Sequence, residues 1–394
     1  MIGAMVARCP ACGASRVDEV LHWPDIPANS ALFLETPEEA RACPRGSFRL
    51  AVCLVCGFLF NADFDPRLPE YSERNLESQL WSSEFRHFAD DLARGWIERY
   101  DLRGAHVLEI GSGLTAGFLR GFCDLSGGTA VGFDPVSRFE GTETIRLVKD
   151  LFDDRWLDEH ADAVICRHTL EHIPGVAGFL GTVRRWGDRH RDSVFLFELP
   201  DTERILKENA FWDLYYEHCS YFTAGTLTAT FERHGFDVLR CEHAFGGQYL
   251  VLEARLASAQ AAPLDVDADT VVGLAYSFAR DLETTSAAYR RRFEELAAEG
   301  PVLLWQAGAK ATSLISVLGI GDLVSALVDL NPAKRGRFTV GSGHPVVAPE
   351  DVRELSPRHI VLMNPLYLRE VQAILDQSAI DACLHSADAL ATGA

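Results

Sequence analysis

Basic residues are scarce in this chain. Thirty-seven lysines and arginines stand against 57 aspartates and glutamates, a formal charge of −20. That balance excludes a nucleic-acid partner, whose binding needs a basic stripe the sequence does not contain. An anionic small molecule stays possible, because a few local arginines suffice for it. Also missing is any apolar run of the roughly 20 residues that a membrane span requires. Met1 to Ala7 is too short ahead of Arg8 and Cys9 to act as a secretory signal. A cytoplasmic location is therefore expected, where ten cysteines read as thiols or metal ligands rather than disulfides. The 394 residues, nearly half of them apolar, have room for two or three domains with real cores.

Four of those cysteines are paired. Cys9-Pro10-Ala11-Cys12-Gly13 and Cys53-Leu54-Val55-Cys56-Gly57 repeat one Cys-x-x-Cys-Gly pattern. Two thiolates at that spacing can occupy adjacent corners of a tetrahedron, and the glycine turns backbone amides towards the sulfurs. Cys9, Cys12, Cys53 and Cys56 are thus the expected ligands of a closed, structural Zn2+ site. Cys43 and His22, inside the long insertion between the pairs, are possible substitutes. Residues 61 to 70, with two prolines and alternating acids, read as a linker. Tyr71 to Tyr100 then carries apolar residues largely at helical spacing. Tyr71 and the polar residues after it are a candidate lid.

The centre of the chain is organised around His106-Val107-Leu108-Glu109-Ile110-Gly111-Ser112-Gly113. A short apolar run ends in an acid, turns through two glycines and becomes amphipathic, which predicts a buried strand, a turn and a helix start. Ala130 to Asp134 is a second apolar run ending in an acid, and further runs close at Asp150, His168 and Glu198. The alternation predicts an α/β fold with a mostly parallel sheet and helices on both faces. This order of motifs resembles the class I S-adenosylmethionine-dependent methyltransferases. The resemblance implies that Glu109, Gly111, Gly113, Asp134 and Asp150 bind that cofactor. Thr115 departs from it, standing where a third glycine belongs, and Gly117 is the candidate to compensate.

Two further stretches carry chemistry. His168-Thr169-Leu170-Glu171-His172-Ile173-Pro174 follows the fourth strand, at the end that faces a ligand crevice in such sheets. Phe211 to Phe222 crowds aromatics around Tyr215, Glu217 and His218. Such rings can wall a pocket against water while Glu217 or His218 takes a proton. Phe236 to Leu239 and Gln248 to Ala254 are expected to pair as closing antiparallel strands. Residues 257 to 269 read as a second linker. Beyond them, Pro301 to Lys310, Leu327 to Pro332 and Ile360 to Pro365 predict a second, smaller α/β domain. Lys310, Asn331, Lys334, Arg335 and Arg337 could receive an anionic group there, or form a solvated basic patch.

Taken together, the paired knuckles, the glycine-turn core and Tyr215-Tyr216-Glu217-His218 resemble the zinc-containing sugar C-methyltransferases, which act on nucleotide-linked keto-deoxysugars. Asp329-Leu330-Asn331-Pro332, Lys334-Arg335-Gly336-Arg337 and Pro349-Glu350 match motifs of that family's tail, while Gln306 and Ala311 replace glycines. The resemblance implies a zinc-binding domain over 1–70, a methyltransferase domain over 71–258 and a substrate-associated domain over 259–394. It implies His218, Glu217, Tyr215 and His172 as catalytic residues, with His218 held by Glu217 as the base. The expected partner is a small acceptor, such as a nucleotide-linked sugar, methylated next to a carbonyl. O- or N-methylation of another small molecule, a non-catalytic zinc-bearing module and nicotinamide-linked oxidoreduction are the alternatives.

Overall fold

The computed structural model describes residues 8–76, 79–258 and 266–390. Its largest sheet has seven strands, beginning with His106–Ile110, Thr129–Phe133, Ile145–Val148, Ala163–Arg167 and Val194–Pro200, all parallel. Phe236–Ala244 and Tyr249–Leu256 close it as an antiparallel hairpin, the second of them beside Val194–Pro200. Ala163–Arg167 is buried at every position, as a strand covered by helices on both faces must be. Helix Ser83–Tyr100 covers one face, burying Phe85, Ala89, Ala93, Trp96 and Ile97 at helical spacing. The Ser82 hydroxyl caps its first turn by accepting from the Phe85 amide, and Asp101 ends it in a left-handed conformation.

A second parallel sheet forms from Val302–Trp305, Ala326–Val328, Val346–Val347, His359–Leu362 and Cys383–Ser386. Val302–Trp305 lies at its centre, so here too the strand order reverses beside the first strand. The long helix Ala268–Glu299 leads into it. The expected linker over 257–269 falls largely outside the described residues. Among the described residues no helix is long and apolar enough to cross a membrane.

The N-terminal region is an antiparallel sheet of Val17–Pro27, Arg45–Cys53 and Leu59–Asn61, and its fourth strand comes from far away. Ser220–Tyr221, separated from His218 only by Cys219, pairs with Phe60 and Leu59. The three regions are sewn together rather than strung as beads. One apolar core joins Phe48 and Leu50 of the first region to Phe211 and Trp212, and on to Leu304 and Leu314 of the last. Phe33–Leu34 pairs with Phe338–Thr339 across the same seam.

Candidate active site

The order of the large sheet reverses between His106–Ile110 and Ala163–Arg167. Loops leaving adjacent strands at such a reversal diverge and leave a crevice at the carboxyl edge. Gly111 and Gly113 stand there at φ +75° and +72°, in the left-handed region that side chains disfavour. A Cβ on Gly111 would lie 1.9 Å from Thr169 Oγ1, so this glycine lets the two loops close on each other. One on Gly113 would meet nothing within 4 Å. Thr115 does not take the third glycine's role; Ala116 carries the left-handed turn at φ +49°. Gly117 instead admits Leu80, whose Cδ1 would stand 2.4 Å from an added Cβ.

Asp134 follows the second strand and is nearly buried. Its carboxylate accepts from the Gly113 and Val136 amides, each at 2.9 Å. Burial nevertheless raises its pKa against those bonds. Glu109 is 2% exposed and its Oε2 has no partner. Burial pushes it up to about 8, although the Arg167 charge pulls the other way. Ser112 Oγ and Ser137 Oγ, both buried, are equally unpartnered. Open space at Gly113 and three buried polar atoms without partners on Glu109, Ser112 and Ser137 fit the polar amino-acid end of a bound nucleoside cofactor. Ser112 and Ser137 were not singled out in the sequence; Ser112 lay in plain view between the two glycines. Asp150 leaves the third strand on the same edge, its side chain bonded to the Leu151 amide and paired with Arg155.

Arg167 and His168 extend the fourth strand into a buried charge network. Arg167 Nε donates to Glu198 Oε2 at 2.5 Å, and His168 Nε2 lies 3.0 Å from Oε1 of the same carboxylate. Burial would raise Glu198, but Arg167 and His168 hold it at about 2. Burial likewise lowers His168, and Glu198 with Glu171 outweighs it, raising the imidazole to about 9.

Next to this network, ligand atoms of Glu171, His172 and His218 all lie within 4.8 Å of one another. The His218 ring stands nearly perpendicular to those of His172 and Tyr215, at centroid distances of 4.6 and 4.7 Å. Tyr71 presents its edge to His172 from the entry segment. Burial first, and His172 second, lower His218 to about 3. It is a neutral imidazole at physiological pH. Glu171 Oε2 and His172 Nδ1 are buried without partners. Burial raises Glu171, yet the His168 hydrogen bond and the two neighbouring histidines leave its pKa lowered. The insertion carrying His218 is fastened here by the Cys219 amide, which donates to the Glu171 carbonyl at 2.9 Å. Because Thr169 abuts Gly111, the histidine cluster adjoins the glycine turn.

Sequence reasoning paired His218 with Glu217, and the geometry differs. Ser30 donates its amide and its hydroxyl to the two Glu217 oxygens, at 2.9 and 2.5 Å. Glu217 ties the insertion to the N-terminal region, and the acid beside His218 is Glu171. Tyr215 donates to Asp213 Oδ1 at 2.8 Å. Asp213 in turn pairs with Arg204 and with Lys310 of the last region. The other basic residues that the sequence offered for an anion, Lys334, Arg335 and Arg337, are spent on neighbours. Lys334 is buried and donates to the Ala307 carbonyl and Asp329, Arg335 pairs with Glu350 and Asp351, and Arg337 with Glu35. Asn331 donates to the Leu76 carbonyl.

The four knuckle cysteines converge. Cys9 and Cys56 sulfurs are 3.7 Å apart, as are those of Cys12 and Cys53, and all four lie within 4.8 Å. Zinc–sulfur bonds of about 2.3 Å in a tetrahedron put sulfurs roughly 3.8 Å apart, so this donor set fits Zn2+. His22 is bonded to Ser47 and does not join them, nor does Cys43.

Comparison with known proteins agrees with this geometry. Residues 80–240 match a methyltransferase domain model, and residues 260–380 match a C-methyltransferase C-terminal domain model. The chain is a class I S-adenosylmethionine-dependent methyltransferase. It is 27% identical over 299 residues to C-methyltransferase NovU of Streptomyces niveus, covering 70% of each chain. Among solved structures it is similar to the 1,6-didemethyltoxoflavin-N1-methyltransferase of Burkholderia thailandensis, at 19% identity and a TM-score of 0.32. That match covers 46% of this chain and 82% of the other. The riboflavin-analogue dimethyltransferase RosA of Streptomyces davawensis matches at 21% identity and a TM-score of 0.36, over 44% of this chain and 54% of RosA.

Proposed function

We propose that the enzyme methylates a carbon next to a carbonyl, on a nucleotide-linked keto-deoxysugar or a similar acceptor. The observation that carries this reading is the cluster of buried Glu171, half-buried His172 and buried His218 beside the Gly111 turn. Glu109, Gly111, Gly113, Asp134 and Asp150 hold the cofactor, with Ser112 and Ser137 at its polar end. When bound, S-adenosylmethionine supplies a methyl group made electrophilic by cationic sulfur. Making the acceptor carbon nucleophilic falls to the protein. His218, kept neutral by its surroundings, takes the proton from that carbon, and the carboxylate of Glu171 stabilises the imidazolium that forms. His172 flanks the base, and Tyr215 fixes its plane by ring contact. The rings of Tyr71, Tyr215 and Tyr221 keep water from the acceptor. Support for carbon as the target comes from the NovU likeness and the C-terminal domain match.

Zn2+ is assigned to Cys9, Cys12, Cys53 and Cys56, where four sulfurs leave no open position and make the site structural. The test of the reaction is incubation of a nucleotide-linked keto-deoxysugar with methyl-13C cofactor, locating the label by NMR. A labelled carbon adjacent to the carbonyl supports the reading; label on oxygen or nitrogen overturns it. His218→Ala should abolish transfer while S-adenosylhomocysteine still binds.

A further inference from the structure

Gln306 follows the central strand of the second parallel sheet, where strand order reverses between Val302–Trp305 and its neighbours. Its φ is +83°, a conformation that favours glycine and strains any other residue. The turn is pinned there, because the Gln306 and Ala307 amides both donate to the Val328 carbonyl, at 2.8 and 3.1 Å. The side chain gains nothing visible in return. Its Oε1 is buried without a partner. Gln248, Asn364 and Lys310 are each satisfied: Gln248 and Asn364 bond each other reciprocally, and Lys310 donates to Gln248 and Asp213. Through Asp213 and Tyr215 this edge continues to His218.

A strained backbone and an unsatisfied buried oxygen at one residue both cost stability, and both fall at the ligand end of a parallel sheet. We infer that Gln306 is a specificity residue whose carboxamide oxygen accepts a hydrogen bond from the acceptor, at a part remote from the methylated carbon. This rests on the proposed reaction only for the acceptor's class. The group it receives is a neutral N–H or O–H donor. In a nucleotide-linked sugar the sources are the imide of a pyrimidine base and a ribose hydroxyl.

The test uses the full-length enzyme with S-adenosylhomocysteine bound, and thymidine and uridine diphosphates as calorimetric probes. Gln306→Gly relieves the turn, so it should melt no lower than wild type; Gln306→Leu keeps the bulk and removes the acceptor oxygen. Both should bind the probes about tenfold more weakly, the worth of one hydrogen bond in a dry site, with S-adenosylhomocysteine affinity unchanged. In turnover the acceptor KM should rise with kcat kept. N3-methyluridine diphosphate separates the sources. Equal binding of it by wild type and variants marks the base imide as the partner, and a retained tenfold difference marks the ribose. Wild-type affinity for the unmethylated diphosphates in both variants overturns the inference, as does failure of wild type to bind either. If wild type methylates no keto-deoxysugar yet binds the probes through Gln306, the proposed reaction falls and this contact stands. Methylation with an unchanged acceptor KM in both variants does the reverse.

Discussion

Lys310 Nζ lies 2.9 Å from Asp213 Oδ2, a contact across 97 residues of sequence that joins the last region to the aromatic insertion. Asp213 also holds the Tyr215 hydroxyl, and the Tyr215 ring abuts His218. The helix that follows the second sheet's central strand thus helps to place His218, the proposed base. A lysine that sequence alone offered to an anionic ligand is already committed to a carboxylate.

Removing that lysine should slow catalysis without touching the cofactor. Lys310→Met leaves the buried Asp213 with Arg204 as its one remaining ion-pair partner of the two described, a change of the kind that costs about 3–5 kcal/mol when a buried pair is broken. We expect kcat to fall at least tenfold, a lowered melting temperature, and S-adenosylhomocysteine affinity within about threefold of wild type. Lys310→Arg should recover part of kcat. Equal losses in kcat and cofactor affinity would count against a positioning role.

Much of this architecture was legible from local pattern. The Cys-x-x-Cys-Gly pairs, the glycine turn and the acid at Asp134 are short-range signals, because the chemistry needs neighbouring atoms. What was hidden depends on tertiary partners. Nothing near Ser30 announces that it will take the Glu217 carboxylate, and nothing in Ser220–Tyr221 announces a strand partner at Leu59–Phe60. Glu171 could have been preferred to Glu217, since it sits beside His172 in sequence. Ala116 and Gln306 show the limit of reading turns from glycine, for both adopt positive φ without one.

Removing the proposed zinc should reach His218, the proposed base, through that borrowed strand. The turn between Cys53 and Cys56 leads into Leu59–Asn61, which pairs with Ser220–Tyr221 just after His218. Chelation, or Cys53→Ser, loosens this edge, and a displacement near 1 Å in a reacting group can cost about a hundredfold in rate. Turnover should drop at least tenfold, with cofactor affinity held within about threefold. Calorimetry and steady-state kinetics on metal-stripped protein decide it. Full activity without the metal would separate the knuckle from catalysis.

The two histidines with opposite shifts predict opposite pH dependences of stability. His168 is raised to about 9, so its contribution is complete below its unfolded value near 6.5 and is lost as pH rises through 9. His218 is lowered to about 3, so the unfolded chain binds more protons below pH 6.5 and stability falls as the solution is acidified. Urea titrations should show His168→Gln flattening the loss between pH 7 and 10, and His218→Gln flattening the loss between pH 7 and 5, all roughly set by those values. For the same reason, the acid limb of kcat/KM should lie below the ordinary histidine range.

Gly111 and Gly113 share a conformation and should fail differently. Both sit at positive φ, so alanine at either pays a backbone penalty of about 1 kcal/mol. At Gly111 the new methyl also meets Thr169, with Oγ1 at 1.9 Å and Cβ at 2.8 Å. Thr169 cannot swing aside freely, because its hydroxyl donates to the Arg167 carbonyl at 3.0 Å. Gly111→Ala should therefore destabilise the fold by about 3 kcal/mol or more, strain and overlap together, and Thr169→Gly should restore part of it. Gly113→Ala meets no protein atom and should cost little beyond the backbone term. It should still weaken S-adenosylhomocysteine at least tenfold, since the methyl would occupy space the ligand needs. Thermal melts and calorimetry on the two variants separate the cases, and a Gly113→Ala protein that binds S-adenosylhomocysteine like wild type would remove the cofactor from this turn.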